Sequence, residues 1–298
     1  MNKKGWLIYN GGLISKKFLE INHMYISAAA KKGIELQPVK NNEIYSFVLD
    51  NSLHVKKDGL FQPDFILFLD KDIRLAKQLE RLGYQLFNNA NAIEICDDKI
   101  ATFQTLANKR IRMPKTLFSP MMFPGTIDPN DQFIDRVEKE FDYPIVIKEA
   151  FGSFGEQVYL VKNREELIAK RKELLYRPHL YQQFISSSTG KDARLYVVGD
   201  QVVASMLRLN EKDFRANVTN GGMMQKFDPP QTFKELAIKA SQAVGADFSG
   251  VDLLFGDNDE PIICEVNSNA HIKNVFDCTG IDVSEYIFDY ILERIGYA

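Results

Sequence analysis

Apolar residues in the first ninety positions come in short runs separated by longer mixed stretches. Gly5–Tyr9, Phe65–Leu69 and Gln85–Phe87 read as strands, with Ser15–Lys32 and Asp72–Leu82 as helices between them. Strands and helices taking turns predict an open α/β sheet. From Asp97 to Lys109 the spacing of Ile100, Phe103, Leu106 and Ala107 predicts a helix, opened by two aspartates and stopped before Pro114. After a proline-studded connection, Ser119–Pro129, a helix is expected around Phe133–Glu140 and a strand at Tyr143–Glu149. A return strand at Gln157–Val161, a helix at Glu165–Leu175 and a strand at Leu180–Ile185 follow. Ala193–Val198 and Gln201–Arg208 then form a hairpin about the tight-turn dipeptide Gly199-Asp200. Thr232–Val244 reads as a helix, Ser249–Phe255 and Pro261–Val266 as strands, and Val283–Ile295 as a last helix. The pattern is one α/β unit followed by two mixed α+β units.

Composition narrows the setting. With 298 residues, 45% of them hydrophobic, the chain can build two or three units with cores of their own. A net charge of −3 leaves no global basic field for nucleic acid or an anionic membrane, so any polyanion must be met locally. Cys96, Cys264 and Cys278 are too few and scattered for a disulfide framework or a thiolate metal site, and a reduced, cytoplasmic setting is the simplest reading. The apolar run Trp6–Tyr9 is too short for a signal-peptide core, and no stretch reaches membrane-spanning length.

The most informative chemistry lies near the C-terminus. Val251-Asp252-Leu253-Leu254 and Cys264-Glu265-Val266-Asn267 flank the polar turn Asp257–Glu260. If those turn residues form the loop, Asp252 stands opposite Glu265, and Asn267 shares that face because side chains two apart on a strand point the same way. Two carboxylates and an amide together cost repulsion and desolvation unless a cation neutralises them. All-oxygen donors suit Mg²⁺, with Mn²⁺ as a substitute. The competing reading is a solvated strand face.

A second constellation is Lys148, at the end of an apolar strand, followed by Phe151-Gly152-Ser153-Phe154-Gly155-Glu156. A loop with two glycines can turn its N–H groups toward a phosphate, and a strand lysine adds positive charge; the alternative is an ordinary turn. It is not a Walker loop, because no Gly-Lys-Ser/Thr opens a helix. Lys99 begins a helix, where a lysine opposes the macrodipole, so it is either a phosphate contact or a solvated side chain. Arg194, Arg208 and Arg215 lie between the glycine loop and the carboxylate hairpin, and arginine forks suit phosphate and carboxylate oxygens. Asn10-Gly11-Gly12 after the first strand lacks the full dinucleotide fingerprint. None of His23, His54, His179 and His271 has a partner at metal-ligand spacing, and no Gly-x-Ser-x-Gly elbow is present.

In order along the chain these pieces resemble the ATP-grasp superfamily, and within it the RimK-like glutamate ligases. The segments that carry the resemblance are Asp98-Lys99, Val146-Ile147-Lys148 with Phe151–Gly155, Gln182-Gln183-Phe184-Ile185 and Asp192-Ala193-Arg194. Asp213–Asn217 with Gly221-Gly222, Gly250–Leu254 and Glu265-Val266-Asn267 complete the set. The resemblance implies an N-terminal pre-ATP-grasp α/β domain (1–95), a central lid domain (96–183) and a C-terminal domain (184–298), with ATP between the last two. It implies that Lys99, Lys148 and the lid residues Gly152, Ser153, Phe154 and Gly155 meet the phosphates. The hinge Gln182, Gln183, Phe184 and Ile185 would recognise adenine, with Asp192 near the ribose and Arg208 also on the nucleotide side. Arg194, Arg215 and Asn217 would address the reacting groups, and Asp252, Glu265 and Asn267 would hold Mg²⁺. The implied reaction activates a carboxylate, such as that of an amino acid, as an acyl phosphate and passes it to an amine on a small molecule, peptide or carrier protein. Homo-oligomers are usual in such ligases. The chain has Gln183 where the family commonly has a glutamate. Its segment Ser268–Asn274 is similar to that of the ligases acting on the lysine-biosynthesis carrier protein. A dipeptide ligase of the D-alanine type and a catalytically silent nucleotide-binding module are the alternatives.

Overall fold

The computed structural model describes residues 3–125, 132–218 and 221–296. Part of the proline-studded connection therefore lies outside the described residues.

The first unit is β1 (Lys4–Tyr9), α1 (Lys16–Lys31), β2 (Glu35–Lys40), β3 (Tyr45–Leu49), β4 (Ser52–Lys56), β5 (Phe65–Leu69), α2 (Ile73–Arg81) and β6 (Leu86–Phe87). Its parallel sheet has the order β2-β1-β5-β6. Every residue of β5 is buried, as expected of a parallel strand covered on both faces. The pattern did not predict β2, which contains Pro38; a proline is tolerated there because β2 is an edge strand. The hairpin β3–β4, also unpredicted, forms a separate small sheet.

Two short helices follow, α3 (Ala90–Asp97) and α4 (Lys99–Asn108). The predicted helix is α4, and α3 was missed. Between them Asp98 is extended, and its Oδ1 accepts from the N–H groups of Ile100 and Ala101 at 2.8 and 3.3 Å, capping α4. The next sheet takes β7 (Thr116–Phe118), β8 (Ile145–Glu149), β9 (Val158–Val161) and β10 (His179–Gln183) in the antiparallel order β7-β10-β8-β9. Helices α5 (Gln132–Glu140) and α6 (Arg164–Leu174) cover one of its faces, where Ile134, Val137 and Leu167 pack on Ile145, Ile147 and Tyr181. Alternation along β8 leaves Val146 and Lys148 on the other face.

The third sheet is antiparallel, β13-β12-β11-β14-β15, built from β11 (Lys191–Val198), β12 (Gln201–Leu209), β13 (Met223–Lys226), β14 (Phe248–Phe255) and β15 (Pro261–Asn267). Helix α7 (Gln231–Ala243) covers the face bearing Ala193, Leu195, Val197, Val251 and Leu253. Helices α8 (Ile272–Thr279) and α9 (Val283–Arg294) cover only the far part of the opposite face, at Tyr196, Ala204, Met206 and Phe248. That cluster runs on into Leu7, Tyr25 and Phe65, so the first and third sheets share one core. Asn88, fully buried, fastens them: its Nδ2 donates to the carbonyls of Phe248 and Ser268 at 2.8 Å each, and its Oδ1 accepts from the N–H groups of Asp247 and Phe248.

Candidate active site

Where α8 and α9 leave the third sheet uncovered, its face turns from apolar to charged. Asp192 and Arg194 are two apart on β11 and share that face. The register sets Arg208 opposite Asp192, Asp252 opposite Arg194, and Glu265 opposite Asp252. Cross-strand neighbours bond directly. Arg208 donates to Asp192 at 2.6 and 2.7 Å, Arg194 donates to both Asp252 oxygens at 2.6 Å, and Arg208 Nη2 also lies 2.9 Å from Asp252. Burial alone would raise the Asp252 carboxyl, but Arg194 and Arg208 outweigh it and hold it down to about 2. The resemblance implies metal for Asp252, the ribose for Asp192, the nucleotide side for Arg208 and the reacting groups for Arg194. In this conformation they satisfy one another.

The expected pairing of Asp252 with Glu265 is present, but it arises differently. The hairpin loop takes in Gly256 as well as 257–260, because Phe255 pairs with Pro261, and a bulge beside Asp252 and Leu253 restores the register. Across the bulge Ile263 and Val266 both join the core under α7, while the neighbours Cys264 and Glu265 both line the cleft. Bulges re-aim side chains in this way. Cys264 was not among the predicted site residues, since four-residue-loop alternation turns it away.

Metal binding can be tested on the donors. Asn267 Nδ2 makes one long contact, 3.5 Å to the Gly250 carbonyl, which leaves its Oδ1 without a hydrogen bond among the described residues. Among the described residues the Glu265 carboxylate has only Lys99, at 3.7 Å. Two under-used oxygen donors beside the Asp252 carboxylate fit a hard divalent cation. A carboxylate offers about four acceptor positions, and the arginines take three at Asp252, so it has one to spare or must exchange an arginine. Among the described residues no three His, Cys, Asp or Glu side chains converge, so the candidate depends on Asn267.

The second sheet supplies the facing wall. Lys148 is buried, with Nζ 3.7 Å from Cys264 Sγ and 5.8 Å from the centroid of the Phe103 ring. Among the described residues no carboxylate lies within ion-pair distance of it. Lys99, also buried, donates to the Gly152 carbonyl at 3.2 Å, so it is not a solvated helix-start lysine.

The glycine loop meets Lys99 and lines the same cleft as Lys148. Gly152 has φ 147°, where a Cβ would lie 2.3 Å from Gln157 Oε1, the atom that accepts from Ser153 N at 3.2 Å. Arg215 pairs with Asp213 at 2.7 Å and donates to the carbonyl of Gly155 at 2.5 Å, so its guanidinium clasps the lid. At the apolar end, Val146, Phe184, Ile185, Phe214 and Leu254 line the cleft. Gln182 is buried and donates to Thr116 Oγ1 at 2.9 Å; Gln183 N donates to the Lys115 carbonyl at 3.0 Å. Asn217 sits where this cleft meets a second one, which also touches Ser153, Arg208 and Glu265. The second cleft reaches Asn10, Lys17, Asp70 and Lys71 of the first unit, together with Arg194 and Phe154. Lys17, Asp70 and Lys71 were missed, and Asn10 was weighed only as part of a weak dinucleotide loop. The available signal was their place after β1 and β5, since open parallel sheets bind ligands at the C-terminal ends of their strands.

Two antiparallel sheets closing on a cationic, carboxylate-edged cleft beside an open α/β unit define an ATP-grasp protein. Residues 96–291 match the RimK-like ATP-grasp domain family. The uncharacterized protein MG012 homolog of Mycoplasma pneumoniae is 36% identical over 217 residues, covering 71% of this chain and 74% of that protein. Human N-acetylaspartylglutamate synthase A is 35% identical over 228 residues, covering 76% of this chain but 57% of the synthase, little more than half of it. The structure of the ATP-grasp ligase PsnB complexed with minimal precursor superposes with a TM-score of 0.72 at 15% identity, over 99% of this chain and 100% of that one, a likeness of fold. The chain belongs to the RimK-like ATP-grasp family, a class of ATP-dependent carboxylate–amine ligases. No helix among the described residues is long and apolar enough to cross a membrane.

Proposed function

We propose that this chain joins an amino acid, glutamate first among the candidates, to its co-substrate through an amide, by way of an acyl phosphate. The observation that carries the reading is Lys148, a buried cation without a carboxylate partner among the described residues, opposite an edge of under-used oxygen donors. A buried ammonium is costly unless an anion offsets it, and a nucleotide phosphate seated between Lys148, Lys99 and the lid does so. Asp252, Glu265 and Asn267 would hold Mg²⁺, which neutralises phosphate charge when bound; Mn²⁺ is the natural substitute. PsnB has been captured with Mg and ADP, and a D-alanine–D-alanine ligase of the same fold with ATP, which supports the same use here.

The substrate carboxylate oxygen displaces ADP from the γ-phosphorus, giving the acyl phosphate. The amine nitrogen then attacks the acyl carbon, releasing inorganic phosphate and a proton and leaving the amide. Arg194 and Arg215 would stabilise the charge that develops, Arg215 by exchanging the Gly155 carbonyl it now holds for the oxyanion. Lid closure by Phe151–Glu156 keeps water from the acyl phosphate. The unit boundaries 1–95, 96–183 and 184–298 serve this scheme as platform, lid and base. Three free cysteines support a reducing, cytoplasmic setting.

The test is phosphate release from ATP with each of the twenty L-amino acids and candidate co-substrates, with mass spectrometry of the product. Hydroxylamine should trap the acyl phosphate as a hydroxamate. A stable phosphate ester without hydroxamate would make the chain a phosphotransferase, and ATP binding without turnover would make it a silent module.

A further inference from the structure

In the first sheet the chain leaves β1 for β2 on one side and returns to β5 on the other, so the crevice after β1 and β5 is the topological switch point. Asn10 follows β1 and Asp70 follows β5. Asn10 Nδ2 donates to the two Asp70 oxygens at 3.2 and 3.4 Å, and Lys71 N donates to Asp70 at 2.7 Å. Gly12 N donates to Asn10 Oδ1 at 2.9 Å and Gly11 N to Asn41 Oδ1 at 3.0 Å. The Asn10-Gly11-Gly12 turn thus spends the Gly12 amide on orienting the Asn10 carboxamide and the Gly11 amide on Asn41, which explains its presence without a phosphate.

Asp70 is 7% exposed and lines the second cleft, yet its partners are all neutral. Among the described residues no cation lies within ion-pair distance of it. The Lys71 ammonium turns instead to Asp97, at 2.5 Å, and Ser153 Oγ, at 3.2 Å. Burial raises the Asp70 carboxyl above its usual range. An unpaired buried carboxylate at the wall of a cleft is costly and is answered by a cationic ligand group. Lys17 gives the opposite signal: half-buried on the same cleft, with no carboxylate in reach among the described residues. Burial first, and then the charges of Lys17, Arg194 and Lys71, push the His271 imidazole down to about 4, which marks a cationic side to the cleft.

A purely anionic ligand would leave Asp70 unanswered, and a purely cationic one would leave Lys17. We infer that this cleft takes the amino-acid substrate as a zwitterion, its ammonium on Asp70 and its carboxylate on Lys17, and that these two residues determine specificity for it. The assignment rests on the ligase reading above. Phe154 of the lid already meets His271 across the cleft, with ring centroids 5.5 Å apart, so lid closure and filling of this cleft share a contact.

The amino acid that gives the greatest phosphate release in the panel serves as the probe. Asp70→Asn should raise its KM about 30-fold and Lys17→Gln about tenfold, the loss of one charged hydrogen bond each, with the KM for ATP unchanged. On the unaltered protein, the N-acetyl derivative of the probe, which lacks the ammonium, should not compete; this arm is independent of folding of the variants. An unchanged KM in Asp70→Asn, or competition by the N-acetyl derivative equal to that of the parent, overturns the assignment and leaves the ligase reading standing. Absence of release with every amino acid defeats the ligase reading and the assignment with it.

Discussion

Asp252→Asn and Glu265→Gln make the same chemical change at two candidate metal ligands, and the structure predicts that they part company in stability. Asp252 is 3% exposed, and with Asp192, Arg194 and Arg208 it forms a cluster whose two negative and two positive charges cancel. The asparagine leaves two arginines facing one carboxylate, a net buried positive charge. Removing one partner of a buried pair costs about 3–5 kcal/mol, which for a chain of this size lowers the melting temperature by on the order of 10 °C. Glu265 has a 28% exposed side chain and one ion pair at 3.7 Å, so its loss costs about 1 kcal/mol or less. Both variants should lose turnover, since each removes negative charge from the cation site. Calorimetric melting of both proteins, run beside the phosphate-release assay, checks this. An Asp252→Asn protein melting within about 2 °C of the parent would refute the charge-cluster reasoning, and near-normal turnover of Glu265→Gln would refute the metal assignment.

Lys148→Ala should weaken ATP binding, read by calorimetric titration with a non-hydrolysable analogue; unchanged affinity would make it an ordinary core lysine. His271 is held down to about 4, burial being the larger cause, so its stabilising contribution is complete above the unfolded value near 6.5 and is lost as pH falls from there toward 4. That window is worth about 3 kcal/mol, and His271→Gln should flatten denaturant-measured stability across it. Gly250→Ala would set a Cβ 2.3 Å from that of Ala270, pushing the segment after Asn267 off β14. It should cost about 1–3 kcal/mol and depress turnover, seen by melting and activity together.

Much of the architecture was readable from local pattern. Strands such as Phe65–Leu69 and helices such as α7 announce themselves through period and flanking breakers, and the Gly152–Gly155 loop through composition. The partnership of Asp252 with Glu265 was also legible, because two apolar strands about one short polar turn admit few registers. Elements with weak or interrupted patterns were not: β2 carries a proline its edge position excuses, and α3 merges with α4 unless Asp98 is seen as a cap. The family's site residues are likewise local, each set by its own short motif. Tertiary structure alone decided how they are used, because charge pairing depends on which strands are neighbours. Strand order set Arg208 beside Asp192 and Arg194 beside Asp252, a bulge turned Cys264 and Glu265 together into the cleft, and the crossing of a parallel sheet left Asp70 facing the second cleft without a cation in reach among the described residues.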